Sequence, residues 1–264
     1  MGLFDIFKKK ETPSSAQPES KTLLAMPMFN NGEQYNLNSV LGNLKSFWGL
    51  NVTDLQGDDN TAVFRINSEM VAIAYMPAQI PWGDIEGTAQ YAYNWQTAAQ
   101  DLKEHNGHAI VSMMSGSKSA VERYRIFSKV LCAILSTSNA IGVYQGSQTL
   151  LIPREQYLDF VTDLKDDRTP IPLWVYIGLR GSQAGNSIYT YGLSVFGKQE
   201  IEVIDSKLKL EELYNFILNI SAYVVGSDVT LRDGETLGYT ADQKIKITSS
   251  KGKFIEGESL KLEM

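Results

Sequence analysis

Residues 62–76, Ala-Val-Phe-Arg-Ile-Asn-Ser-Glu-Met-Val-Ala-Ile-Ala-Tyr-Met, decide the fold class. Two apolar, β-rich runs, Ala62–Asn67 and Met70–Met76, are separated only by Ser68 and Glu69, which predicts a hairpin. A lone hairpin is marginal in water, so its neighbours must cover it. Upstream, the run from Thr22 through Leu-Leu-Ala-Met-Pro-Met-Phe reads as a strand. Asn36 then offers an N-cap to a helix whose apolar residues Leu37, Val40, Leu41, Leu44 and Trp48 recur at spacings of three and four. Downstream, one long helix is predicted from Asp84 to Glu104, stopped at Gly107, with a strand at His108–Met114. The order β-α-β-β-α-β is the ferredoxin-like arrangement.

Beyond it, Ala120, Tyr124, Phe127, Leu131 and Ile134 mark a helix between Ser119 and Ser136, apolar on every side from Val130 to Leu135 and so buried along its second half. From Ile141 the same order of elements recurs. Strands are expected at 141–144 and 149–152, a helix at 154–165, a strand at 173–179, a long strand or bent pair at 187–204, a helix at 210–225 and strands toward 244–248. The expected fold is α+β: mixed, mainly antiparallel sheets with helices on one face, built as two tandem ferredoxin-like halves. The expected boundaries are a head and tether at 1–21, a first half at 22–116, a connecting buried helix at 117–140 and a second half at 141–264.

Composition narrows function. Of the 264 residues, 43% are hydrophobic and 20% charged, ordinary globular usage that argues against disorder or a collagen-like repeat. The net charge of −6, with basic residues scattered, lacks the positive stripe that a nucleic acid partner needs. One cysteine, Cys132, can form neither an internal disulfide nor a cysteine-rich metal site, which favours a reducing, cytoplasmic location. No apolar run is long enough to span a bilayer. The opening Met-Gly-Leu-Phe-Asp-Ile-Phe-Lys-Lys-Lys10 places its apolar residues before its charges, the reverse of a secretory signal. Leu3, Phe4, Ile6 and Phe7 form an apolar head that allows weak peripheral contact with a membrane or partner, tethered by residues 11–21.

The stretch Tyr191-Gly-Leu-Ser-Val-Phe-Gly-Lys-Gln-Glu-Ile-Glu-Val-Ile204 is similar to the signature of a bacterial family, domain of unknown function 4261. Glu211-Glu-Leu-Tyr-Asn-Phe216 and Asp233-Gly-Glu-Thr-Leu-Gly-Tyr239 continue the resemblance, which covers Ser187 to the C-terminus. Residues Ala74 through His108 are compatible with longer family members. The resemblance implies a bacterial protein of the same fold and transfers no activity. Within the signature, Gly192 and Gly197 read as a bulge or close backbone approach beside a strand. Glu200 and Glu202 alternate with Ile201 and Val203, which predicts a solvated strand face rather than a paired acidic site. Asp233-Gly234 reads as a turn.

Candidate chemistry gathers upstream. His105 and His108, the only histidines, lie three apart, but Gly107 breaks any helix between them. A metal site with Asp101 and Glu104 is therefore disfavoured, and no metal or cofactor is expected. His108 is expected to enter its strand hydrogen-bonded to a neighbour. Pro77-Ala-Gln-Ile-Pro-Trp-Gly-Asp84 forms a rigid apolar loop, and rigid loops with aromatics often bind; Pro77, Pro81, Trp82, Trp95, His105 and His108 are its candidate binding residues. The competing role for Trp82 is a staple packed under the helix. Cys132, in an all-apolar helix half, reads as inert. There is no G-x-S-x-G elbow, Walker loop, G-x-G-x-x-G run or H-E-x-x-H motif. The favoured expectation is a non-catalytic binding or accessory module for another protein, such as a neutraliser. The alternative is a hydrolase with His108 as general base, assisted by Glu86, Glu104 or Arg123.

Overall fold

The computed structural model describes residues 22–114, 116–238 and 244–264; the head and tether expected over 1–21 lie outside the described residues. The first elements in chain order are β1 (Leu23–Phe29), α1 (Leu37–Ser46), β2 (Val52–Gly57), β3 (Thr61–Ile66), β4 (Glu69–Met76), α2 (Trp82–Gln90) and α3 (Ala98–Asp101). They are followed by β5 (Gly107–Met113), α4 (Ala120–Thr137), β6 (Gly142–Gln145) and β7 (Leu150–Pro153). Their strands form one seven-stranded sheet in the order β2-β3-β4-β5-β1-β6-β7, and every neighbouring pair is antiparallel.

The predicted hairpin is present as β3 and β4, turning through Asn67 at φ 55°. Asn36 caps α1 as expected, its side chain accepting the Ser39 N–H at 2.9 Å. A strand invisible in the sequence, β2, changes the topology. Its residues are almost all exposed, so no apolar alternation marks it. It adds one chain reversal ahead of the hairpin, and β4 consequently pairs directly with β5 while β1 lies beyond β5. That departs from a ferredoxin-like half, in which two strands joined by a helix are separated by a third. β6 and β7 then extend this same sheet from the free side of β1, instead of opening a second one.

The predicted helix 84–104 is broken. α2 stops at Gln90, α3 spans four residues, and Leu102–Glu104 form a 3-10 turn. Tertiary ties across the break win over helical propensity. Asn94 Nδ2 donates to Leu151 O of β7 at 3.0 Å, and the Trp95 ring lies against Gly142, where a Cβ would meet it at 2.6 Å. Gly107 is no helix cap either. It opens β5, and a Cβ there would meet the Tyr75 hydroxyl at 2.5 Å. Helices also cover both faces of the first sheet, not one: α1 and α4 pack on the side of Ala25, Phe64, Ile73 and Val111, and α2 and α3 on the side of Met28 and Leu151.

After α5 (Arg154–Asp159) and α6 (Val161–Lys165), the chain builds β8 (Tyr176–Gly181), β9 (Asn186–Tyr191), β10 (Ile201–Ser206), α7 (Leu210–Gly226), β11 (Thr236–Gly238), β12 (Lys244–Lys251) and β13 (Glu258–Glu263). Its six strands order as β11-β12-β13-β10-β9-β8, antiparallel except for β10 against β13. The two sheets share one core. α4, started by a capping box between Ser119 and Glu122, packs on α1, β1 and β5 and, through Tyr124, on Trp174 and Phe196 at ring-centroid distances of 5.7 and 4.9 Å.

Candidate functional site

The loop between β4 and α2 is held from beneath by both histidines. His105 follows the 3-10 turn, and its Nε2 accepts the Ile80 N–H at 2.8 Å. That fixes the proton on Nδ1, which donates to Leu102 O. His108, the second residue of β5, donates from Nδ1 to Ala78 O at 2.8 Å. Gln79 Nε2 donates to Lys103 O at 2.9 Å, and the Lys103 ammonium stands 5.5 Å from the centroid of the Trp82 ring. Burial pushes His108 below the usual imidazole range, partly offset by its bond to Ala78 and reinforced by His105 nearby, so the ring is neutral at pH 7.

The loop's side chains divide by role. Met76, Pro77, Ala78, Gln79 and Pro81 are exposed, whereas Ile80 and both imidazoles are buried. Trp82 is half-buried against the cluster of Met28, Ile80, Ile85 and Leu102, the staple position. Trp95 belongs to a different feature. With Asn30, Asp101, Glu104, Asn139 and Arg154 it lines a cleft of about 570 Å³, and its Nε1 donates to Asp101 Oδ2 at 2.7 Å. Neither His108 nor Trp82 lines that cleft.

The residues named as helpers of His108 are scattered. Glu86 is exposed on α2, and Glu104 faces the cleft. Arg123 Nε donates to Glu69 Oε2 at 2.9 Å, both side chains buried, and its guanidinium also reaches Met113 O at 3.1 Å. Met113 lies five positions along β5 from His108, about 17 Å, so Arg123 cannot assist a base there. Among the described residues, no group of three or more His, Cys, Asp or Glu converges as a metal site. Burial in α4 raises the Cys132 thiol to about 12, which makes it a poor nucleophile.

The signature stretch contains latches, not a solvated acidic face. Both carboxylates are buried. Glu200 accepts from Thr190 Oγ1 at 2.8 Å, Gly192 N at 2.9 Å and Ser194 N at 3.1 Å. It thereby holds the 3-10 turn Leu193–Phe196, whose flanking Gly192 and Gly197 have φ of 119° and 70°, values that suit glycine. Phe196 is carried by that turn onto Tyr124 of α4. Glu202 accepts from Phe254 N at 2.7 Å, Lys253 N at 3.1 Å, Ser259 Oγ at 2.6 Å and Lys261 Nζ at 2.8 Å.

A second surface escaped the sequence reading. Tyr91 and Tyr93, in the break between α2 and α3, are exposed, and the Arg180 guanidinium of β8 sits 5.2 Å from the Tyr91 ring and 5.8 Å from Tyr189. Tyr93 also meets Tyr176 and Tyr214 at 6.4 and 6.3 Å. A signal was present: Tyr91, Tyr93 and Trp95 recur every second residue, a spacing that no helix gathers on one face.

Fold and site together define an α+β protein of two largely antiparallel sheets around a shared helix, with a loop clamped by histidines. Residues 189–263 match the family described as a domain of unknown function (DUF4261), so over this last third the chain is similar to that family. The match takes in the end of β9, the latched turn, β10, α7 and the strands to β13; the clamped loop and both histidines lie outside it. No curated protein and no solved structure matches the chain. No helix among the described residues is long and apolar enough to cross a membrane.

Proposed function

We propose that this chain is a non-catalytic protein-binding or accessory module of the bacterial cytoplasm, with the clamped loop Pro77–Trp82 as part of its contact surface. The observation that carries the reading is the use of both histidines on the loop backbone, each at 2.8 Å, which leaves the outward side chains exposed and already ordered. Ordering a loop upon binding costs affinity, and a loop ordered beforehand avoids that cost. The single, buried cysteine supports a reducing compartment, and the family resemblance supports a bacterial source.

Ala78 provides a clean test, because its carbonyl serves His108 while its side chain is exposed. A photo-crosslinking residue at position 78 of the full chain, expressed in the native cell, is expected to yield a discrete protein adduct. Met76→Asp in the same chain should reduce that adduct at least tenfold with an unchanged circular dichroism spectrum. Absence of any adduct, or an adduct indifferent to Met76→Asp, contradicts the proposal.

A further inference from the structure

Arg180 is a cation without an acid. Arg65, Arg123, Arg154 and Arg168 each stand within 4 Å of a carboxylate. Among the described residues none lies that close to Arg180, although the chain's net charge is −6. What holds this guanidinium is aromatic. Register places Tyr176, Gly178 and Arg180 of β8 on one face of the second sheet, beside Tyr189 and Tyr191 of β9. A Cβ at Gly178 would meet the Tyr189 ring at 2.0 Å, so that ring lies across β8 over the glycine, and Phe254 stacks on it at 5.3 Å. Arg180 Cζ stands 5.8 Å from the Tyr189 centroid and 5.2 Å from that of Tyr91, which the end of α2 delivers. Its hydrogen bonds within the described residues are long: Nη2 donates to Tyr189 Oη at 3.4 Å and Nη1 to Leu179 O at 3.3 Å. A guanidinium carries five N–H donors, so most of its capacity is unspent. Around it Tyr91, Tyr93 and Tyr191 are 49%, 43% and 43% exposed.

We propose that Arg180 and these rings form a receptor for a single carboxylate on a peptide segment of a partner protein. The planar fork matches a carboxylate through two parallel hydrogen bonds, and rings that fix the fork beforehand lower the cost of ordering it. Exposed tyrosines beside an arginine give contact area to the residues that flank the acid. One free charge fits one carboxylate better than a phosphoryl dianion, because Lys253, whose ammonium lies 5.5 Å from the Phe254 ring, is already taken by Asp205 at 3.0 Å. The acidity of the whole chain disfavours highly acidic ligands and leaves an isolated acid among apolar residues as the best match. The inference shares with the reading above only that the partner is a protein. No residue of the clamped loop takes part in the site or in its test.

The full chain, immobilised, is offered pools of N-acetylated, C-amidated peptides with one fixed residue, Glu or Gln, among randomised uncharged positions. Retention of the Glu pool is expected to exceed that of the Gln pool by about tenfold or more, as a charge-assisted hydrogen bond requires. Arg180→Ala should abolish the preference, and Arg180→Lys, which keeps the charge and loses the fork, should restore only part of it. Equal retention of the two pools by the unmodified chain, or a Glu preference undiminished in Arg180→Ala, overturns the proposal. Should Arg180→Ala lose the native circular dichroism spectrum, Tyr91→Ser, at an exposed ring, decides: a reduced Glu preference supports the site and an unchanged one overturns it. Stronger retention of a phosphoserine pool than of the Glu pool would overturn the assignment to a carboxylate.

Discussion

Glu202 stands two residues after Glu200 in a strand that alternates acid and aliphatic, a pattern that any half-buried strand shows. Its four donors come from residues 253–261, more than fifty positions away, so nothing local to the strand marks it as a latch. Burial alone would raise its carboxyl pKa, but Lys261, Ser259 and the amides of Phe254 and Lys253 together hold it below the usual carboxylate range. The sign of the linkage follows. The stabilisation is complete above the unfolded-state value of about 4.3 and is lost as pH falls through the lower folded-state value. Glu202→Gln is therefore expected to lower stability at pH 7 by about 3 kcal/mol, because it leaves the shielded Lys261 ammonium without its partner. It should also flatten the acid limb of a plot of urea-unfolding free energy against pH between 3 and 5. A variant with the wild-type slope would show that the latch is not formed by the charged carboxylate.

At the scale of elements, what the sequence disclosed depended on whether the determining partners were near in the chain. The β3–β4 hairpin, the Asn36 cap and the apolar half of α4 are set by neighbours within a few residues, and all are where the pattern places them. β2 is exposed and so carries no apolar signal, while the α2–α3 break is imposed by β6 and β7, some fifty residues downstream. The same division runs through the candidate site. The unusual composition of residues 77–84 pointed to the loop, and the two histidines were singled out beside it. That the imidazoles are what hold the loop required β5 to lie beneath it. This has a measurable consequence. His105→Ala removes the acceptor of the Ile80 N–H, and a buried amide left unpaired costs about 1–3 kcal/mol. Hydrogen exchange at Ile80 should accelerate by about tenfold or more, while exchange at Val111, in the middle of β5 between two neighbours, stays unchanged. Equal acceleration at both amides would mean that His105 supports the whole sheet instead of the loop.

Across the whole molecule, the arrangement of two sheets around α4 sets how the protein comes apart. In a chain of two self-contained halves, the helix between them would be a linker, and each half would melt with its own midpoint. Here one buried cluster runs from Phe64 and Ile73 in the first sheet, through Leu131 and Ile134 of α4, to Trp174, Val203 and Ile247 on the side of the second. The contact is specific as well as apolar: Trp174 Nε1 donates to Ser128 Oγ at 2.9 Å, and Gln148 Nε2 to Tyr124 Oη at 2.7 Å. Because one buried cluster joins both sheets through α4, a single cooperative transition is expected despite the chain's length. Leu131→Ala, which opens a cavity at a fully buried position of that helix, should cost about 2–5 kcal/mol. The loss should appear equally in both sheets, read by native-state hydrogen exchange at Ile73 in β4 and Ile247 in β12 under increasing urea. If Ile73 alone lost protection and Ile247 kept its original opening free energy, the second sheet would be a separate folding unit and α4 would belong to the first alone.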